Sequence, residues 1–287
     1  KRILIEWEFG LWILEVGTWT MKPVNVDIDS DWKSFGIVER TIRAGADQPD
    51  ISNDGRFIAF TLSGDLWVMP NGGGNAQQIT ATPSQNEEWP RFSPDGSQMM
   101  FHADQGGNSD LFVMDLASRQ IRALTRTPHN EFFASWSPDG QRIVFTSEAA
   151  GNKDIYTMDM ATGAITQMTT SVAADDDPIF SPDGQWIVYD SGQDGQQAIF
   201  RLPANGGRPE RILAGPGFSQ IPAMARDGRR VVFEAVNGGN RSLYMGDTAT
   251  GQVMPLIGNA TSPRIATDGS SVIYMSNGQI GSLELPE

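Results

Sequence analysis

Short apolar runs separated by polar, glycine-rich breaks fill most of the chain. Runs at residues 57–61, 98–101, 142–146, 186–189, 230–234 and 271–275 are each followed, after a brief loop, by a second run at 65–69, 110–116, 154–160, 198–202, 242–247 and 279–285. Stretches such as Ile155-Tyr156-Thr157-Met158 put apolar side chains on both faces, the pattern of a strand whose sheet is covered on each side. No apolar period of 3.6 residues extends far enough to predict a helix.

The strongest sequence signal sits in front of each first run. Its fullest copy is Asp176-Asp177-Pro178-Ile179-Phe180-Ser181-Pro182-Asp183-Gly184, a strand leading into a Ser-Pro-Asp-Gly turn. Pro presets φ for a type I turn, Asp suits the next position, and Gly supplies the left-handed residue that re-enters an antiparallel ladder. Copies end at Gly55, Gly96, Gly140, Gly184, Gly228 and Gly269, so the steps between them are 41, 44, 44, 44 and 41 residues. A fourth, shorter strand ends near Ile79-Thr80, Leu124-Thr125, Met168-Thr169 and Ile212-Leu213. Four antiparallel strands repeated at this period predict an all-β β-propeller of four-stranded blades.

The ends of the chain set the blade count. Residues 2–7, 11–16 and 22–28 read as second, third and fourth strands without a first, and the C-terminal repeat lacks a fourth. Six blades are expected, with 22–28 completing the last one and an N-terminal hairpin left over. Seven blades are the alternative, but a blade without its inner strand would leave unpaired backbone groups facing the channel. A third option is that the missing strands lie before Lys1, in a longer chain. The expected organisation is therefore N-terminal strands closing or supplementing the ring at 1–28, a crossing connection at 29–46, and propeller repeats at 47–287.

Composition narrows the function classes. A hydrophobic content of 39% is enough for a core, and a formal charge of −14 argues against nucleic acid and for a cationic partner or metal ion. With no cysteine, the chain has no disulfide, thiol nucleophile or thiolate metal site. Glu6, Glu8 and Glu15 rule out a signal core or membrane span at the N-terminus, so no membrane insertion is expected.

Pro-x-Phe/Trp-Ser-Pro-Asp-Gly, then Ile-Val-Phe, Asp-Ile-Tyr-x-Met-Asp and Leu-Thr, resembles the repeats of TolB-type β-propellers over about 47–285. Residues 36–74, with Gly64-Asp65-Leu66-Trp67-Val68-Met69, look most like the propellers of tricorn-like or amidohydrolase proteins. The resemblance implies a propeller found in periplasmic TolB. It also implies one found beside the catalytic domains of tricorn-like proteases, prolyl-oligopeptidase-like serine peptidases and some amidohydrolases. A periplasmic or secreted location follows as an expectation.

Propeller geometry places the entry to each inner strand on the face opposite the Asp-Gly turns. Eight residues before each turn Asp stand Ala46, Glu87, Glu131, Asp175, Ser219 and Ala260; seven before stand Asp47, Glu88, Phe132, Asp176, Gln220 and Thr261. A carboxylate ring of Glu87, Glu131 and Asp175, with Asp47, Glu88, Asp176, Asp177 and the loop residue His129, is expected to surround the channel mouth and meet a basic peptide or protein. Hard carboxylates there also suit Ca²⁺ on Glu87, Glu131, Asp175 and Asp176. An acidic rim that only keeps the protein soluble is the competing reading.

No convincing catalytic set is found. His102, His129 and Glu131 are the candidates for a metal or acid/base site, as in a lyase or lactonase. Ser191 and Ser219 complete no nucleophile elbow. Asn71-Gly72-Gly73-Gly74 lacks the Lys of a phosphate loop, and Asp27, Asp29 and Asp31 lack the Gly and Glu of a calcium loop. Three functions remain: a non-catalytic binding module, the accessory propeller of a larger serine peptidase or amidohydrolase, and a metal-dependent enzyme acting in the funnel.

Overall fold

A computed structural model describes residues 2–7, 10–15, 20–24, 28–29, 46–71, 75–82, 85–105, 107–266, 269–276 and 279–285; all side chains discussed lie within 46–285. The described residues form strands and turns and contain no helix. Six blades begin with the strands Ala46–Ile51, Glu87–Phe92, Glu131–Trp136, Asp175–Phe180, Phe218–Met224 and Thr261–Ile265. Within blades 1 to 5 the strands pair in chain order, antiparallel throughout. Each first strand also approaches the first strand of the next blade, and the sixth approaches the first again, which closes a six-bladed propeller around an axis lined by first strands.

Blade 6 contributes three strands, ending in Gln279–Glu284, and Arg2–Trp7 lies alongside that last strand in the fourth-strand place. Arg2–Trp7, Gly10–Glu15 and Thr20–Val24 form their own antiparallel sheet. The strand beside blade 6 is thus the N-terminal one, not 22–28 as expected. Ile28–Asp29 instead pairs in parallel with Ala76–Gln78, at the edge of blade 1. The rest of the expected crossing connection, up to residue 45, lies outside the described residues.

Five hydrophobic clusters sit between neighbouring blades, and a sixth, with Ile58, Phe60 and Trp67, lies on blade 1. Ala59 and Leu66 of blade 1 pack on Met99, Phe101 and Phe112 of blade 2. Met100 and Leu111 then pack on Ile143, Phe145 and Tyr156, and Val144 and Ile155 on Ile187, Tyr189 and Phe200. Rings recur at matching places: Phe101–Phe112, Phe145–Tyr156 and Phe233–Tyr244 stack with centroids 5.7, 5.9 and 6.3 Å apart. This is why the strands read as apolar on both faces. Each fully buried aromatic contributes about 1.5–3 kcal/mol relative to exposure.

The Asp-Gly turns are built alike. In four of them the Ser hydroxyl donates to the Asp carboxylate, at 2.7 Å for Ser52–Asp54 and 2.6 Å for Ser93–Asp95, Ser137–Asp139 and Ser181–Asp183. The same hydroxyl accepts the N–H five residues on, at 2.9 Å in Phe57, Gln98, Arg142 and Trp186. These Ser hydroxyls and neighbouring N–H groups hold the turn carboxylates below their usual range, Asp54 at about 2.

Candidate functional site: the two mouths of the channel

Every inner strand enters the channel through the same irregularity. Its ladder to the second strand skips two residues, between Asp47 and Asp50, Glu88 and Arg91, Phe132 and Ser135, Asp176 and Ile179, Gln220 and Ala223, and Thr261 and Arg264. The first skipped residue is left-handed: Gln48, Trp89, Phe133, Asp177, Ile221 and Ser262 have φ of 54°, 57°, 53°, 51°, 51° and 51°. The second is proline in five blades and Ala134 in blade 3. Proline lacks the N–H that a bulge leaves unpaired, so its place here follows from its chemistry. A non-glycine residue held left-handed costs about 1–2 kcal/mol, so the six repeats keep this geometry against a local penalty.

The bulges divide the channel into three levels. Toward the strand entries lie Asp47, Glu88, Phe132, Asp176, Gln220 and Thr261; at the bulge lie the left-handed residues; toward the Asp-Gly turns lie Asp50, Arg91, Ser135, Ile179, Ala223 and Arg264. Trp89 marks the middle. Its ring meets Phe133 of blade 3 edge-on at 5.0 Å, while the guanidiniums of Arg91 and of Arg264 in blade 6 lie 5.3 and 5.5 Å from it. A side chain of blade 2 that touches blades 3 and 6 lies across the axis.

The expected carboxylate ring is not at the mouth. Glu87, Glu131 and Asp175 are 1%, 2% and 0% exposed. They sit between blades, where each faces a third-strand Asp of the preceding blade across a threonine. Thr80 donates to Glu87, Thr125 donates to Asp110 at 3.1 Å, and Thr169 donates to Asp154 at 3.1 Å. Each threonine also accepts a third-strand N–H, from Leu66, Leu111 and Ile155 at 2.8, 2.9 and 3.0 Å. Thr82 and Thr127 add hydroxyl donors to Glu87 and Glu131 at 2.8 and 2.7 Å. Burial raises the pKa of Glu87, Glu131 and Asp175, and the facing Asp65, Asp110 and Asp154 raise them further. Glu87 and Glu131 clasp the loops of the preceding blades through these hydroxyls, and Asp175 occupies the matching buried place. The correction is one residue of strand phase: a side chain one position earlier points between sheets instead of at the axis.

The entry mouth therefore carries fewer free charges than expected. Asp47 is exposed. Glu88 accepts from Asn86 at 2.5 Å and lies 3.5 Å from His102 Nε2, whose hydrogen bond holds its carboxyl down. Asp176 accepts from Thr146 at 3.0 Å and from Lys153 Nζ at 2.5 Å. The Lys153 ammonium also lies 4.7 and 5.6 Å from the rings of Phe132 and Phe133. Burial, with the Asp176 charge second, pushes Asp177 up to about 8, and Asp190 beside it is raised by burial and by Asp177. Burial and the Asp176 charge thus bias Asp177 toward its protonated form, which offers a donor in place of a charge.

His129 is exposed in its loop, its carbonyl accepting from Asn108 at 2.9 Å. His102 is 8% exposed and paired to Glu88, while Glu131 is held by Thr127 and Ser147. Among the described residues no three His, Asp or Glu side chains form a group arranged to hold a metal ion. His102, His129 and Glu131 therefore do not make the expected set.

The opposite mouth, on the turn side, is a cavity of about 540 Å³. Its lining comes from all six blades, including Asp50, Arg91, Trp136, Pro182, Met224 and Arg264, so it lies on the axis.

A family model described as TolB beta propeller domain matches residues 108–284, more than half of the chain. The chain belongs to the TolB β-propeller family. The Tricorn protease N-terminal beta propeller domain model matches residues 46–152. The Tol-Pal system protein TolB of Gluconobacter oxydans is 53% identical over 38 residues, 13% of this chain and 8% of that protein. A TolB homolog of Chlorobium luteolum is 30% identical over 102 residues, 36% of this chain and 20% of that protein. These matches span only a small part of either curated relative. The solved structure of a putative TolB from Agrobacterium tumefaciens superposes with a TM-score of 0.73 at 21% identity, covering 100% of this chain and 99% of that one.

In this TolB-type ring, the residues missed from sequence are Trp89 and Phe133 at the bulge and Arg91 and Arg264 beyond it. A signal for them was present. The strand prolines Pro49, Pro90, Pro178, Pro222 and Pro263 mark bulges, and a bulge re-aims the side chains on either side of it.

Proposed function

We propose that this chain is a non-catalytic binding module that receives a basic peptide at the strand-entry mouth. The observation carrying the reading is the seat already filled by Lys153. An ammonium there is held by a carboxylate, Asp176, against the faces of Phe132 and Phe133. Carboxylate plus aromatic face is the chemistry that holds a lysine or arginine side chain. Glu88 and Asp47 repeat the charge on blades 2 and 1, and His129 lies on the loop leading into blade 3. The net charge of −14 favours encounter with a cationic partner. A periplasmic or secreted location belongs to the same reading. No helix among the described residues is long and apolar enough to cross a membrane.

Calorimetric titration with a short lysine-rich peptide tests the proposal. Charge reversal at Glu88 and Asp176 together is expected to weaken binding at least tenfold with the melting temperature preserved. Unchanged affinity in that folded variant would end the reading. A parallel titration with Ca²⁺ tests the cation form of the same proposal, through a rise in melting midpoint.

The match to the tricorn propeller supports a second reading, in which the ring is an accessory domain guarding a peptidase. Cleavage of peptides by the full gene product, relieved of size selection when the propeller is deleted, is its expected result.

A further inference from the structure

The turn-side mouth carries the opposite charge from the rest of the molecule. Arg91 and Arg264 occupy matching positions on blades 2 and 6, flanking Asp50 of blade 1, and all three line the axial cavity. Each guanidinium folds back on its own strand, Arg91 Nη1 donating to the Pro90 carbonyl at 2.8 Å and Arg264 Nη1 to that of Pro263 at 2.7 Å. Each also rests against Trp89. Among the described residues neither has a carboxylate within ion-pair distance. Asp50 spends one oxygen on the Phe92 N–H at 2.9 Å. Burial lowers the Arg91 pKa, with Asp50 and Asp177 only offsetting it.

A chain with 35 acidic and 21 basic residues has carboxylates to spare, yet two arginines in one cavity have no ion pair among the described residues. A guanidinium removed from water without an ionic partner is costly. Five fixed donors on each, with one used, leave forked N–H pairs of the kind that grip a carboxylate. Arg226 adds a third cation at the exposed rim, held to Asn53 at 3.2 Å. The remaining wall is mixed: Trp136, Met224, Pro94, Pro138, Pro182 and Ile265 supply apolar surface, and Ser93, Ser135 and Ser137 interrupt it. At about 540 Å³ the cavity falls in the range of small-ligand sites, about 300–1,000 Å³.

We infer that the turn-side mouth is a carboxylate-binding pocket in which Arg91 and Arg264 hold the anionic head and the Trp136–Met224–proline wall takes an apolar body. Such a ligand is either the free C-terminus of a peptide with apolar last residues or a small apolar organic acid. The forked donors supply the specificity, and Asp50, whose charge favours the Arg91 guanidinium, competes with an incoming carboxylate.

Isothermal titration of the intact chain with three probes tests this: acetyl-Ala-Ala-Phe-Leu with a free carboxylate, the same peptide amidated, and 4-phenylbutyrate. The free acid peptide or phenylbutyrate is expected to bind, the tighter of the two identifying the source, and the amide to bind at least tenfold more weakly. Arg264→Gln and Arg91→Gln are each expected to weaken the acid at least tenfold, and Asp50→Asn to tighten it. Equal binding of acid and amide, or no binding of either acid at millimolar concentration, overturns the inference. So does wild-type affinity in a folded Arg264→Gln variant. If the arginine variants fail to fold, the acid–amide comparison on the unaltered chain decides alone.

Discussion

The two mouths of this channel are built from the same six strands, three residues apart, and yet they are electrostatic opposites. Before the bulge, blades 1, 2 and 4 place Asp47, Glu88 and Asp176; after it, blades 2 and 6 place Arg91 and Arg264. The entry mouth satisfies its charges internally, Glu88 with His102 and Asp176 with Lys153. The turn-side mouth leaves its arginines without ion pairs among the described residues. The difference teaches that net charge is a poor guide to a repeat protein's sites. An overall excess of carboxylates is divided among turns, blade clasps and one mouth, while Arg91, Arg226 and Arg264 meet where the axis ends.

The harshest way to break the comparison is to loosen the ring that holds both mouths. Phe145, 1% exposed between blades 2 and 3, should cost about 3–5 kcal/mol when changed to Ala, read by denaturant unfolding. Both binding activities should then fall together. Trp89→Ala is milder, about 2–4 kcal/mol for a half-buried ring, and sharper. It removes the partition that touches Phe133 above and Arg91 and Arg264 below, so both mouths should lose affinity in a chain that still folds. Loss at one mouth alone would show that the ring does not separate them.

Lys153→Ala separates the mouths directly. It vacates the seat on Asp176, Phe132 and Phe133 and is expected to tighten a lysine-rich peptide severalfold while leaving acid binding on the turn side unchanged. A weakening of peptide binding would mean that Lys153 organises the site instead of competing for it. The pH profile should divide them too. Asp177, at about 8, gains its charge as pH rises through that value, so basic-peptide affinity should increase between roughly pH 7 and 9. Asp177→Asn should flatten the increase.

The smallest expected effects concern stability against pH. The turn carboxylates Asp54, Asp95, Asp139 and Asp183 sit below their unfolded values, so their contribution is present above about pH 4 and lost on acidification toward about pH 2. The clasp acids Glu87, Glu131 and Asp175 sit above theirs, so the folded state binds protons more tightly. Their contribution is full below about pH 4 and lost as pH rises through the folded values. Melting temperature should peak near pH 4–5 and decline toward neutrality. A flat profile from pH 5 to 8 would remove the buried-acid account of the clasps.

Much of the fold could be read directly from the residues. The Asp-Gly spacing gave the period, and two-sided apolar strands such as Ile155–Met158 gave the stacked sheets, because both signals come from neighbours a few residues apart. The site was legible only to within one strand position. Counting back from the turn Asp found the right stretch of each inner strand, but Glu87 and Glu88 differ in function by a single step of the pleat. The prolines that announce the bulge were present in the motif, and reading them only as part of a resemblance concealed that they shift every side chain after them.

What the chain determined alone was local: turns whose Ser, Asp and Gly close their own hydrogen bonds, and strands apolar on both faces that require sheets above and below. What only the folded ring decided was which charges meet. Arg91 and Arg264 stand far apart in sequence and in different repeats, and no pattern within one repeat places both beside Trp89. Closure does so, because each blade's inner edge faces the same axis from a different direction.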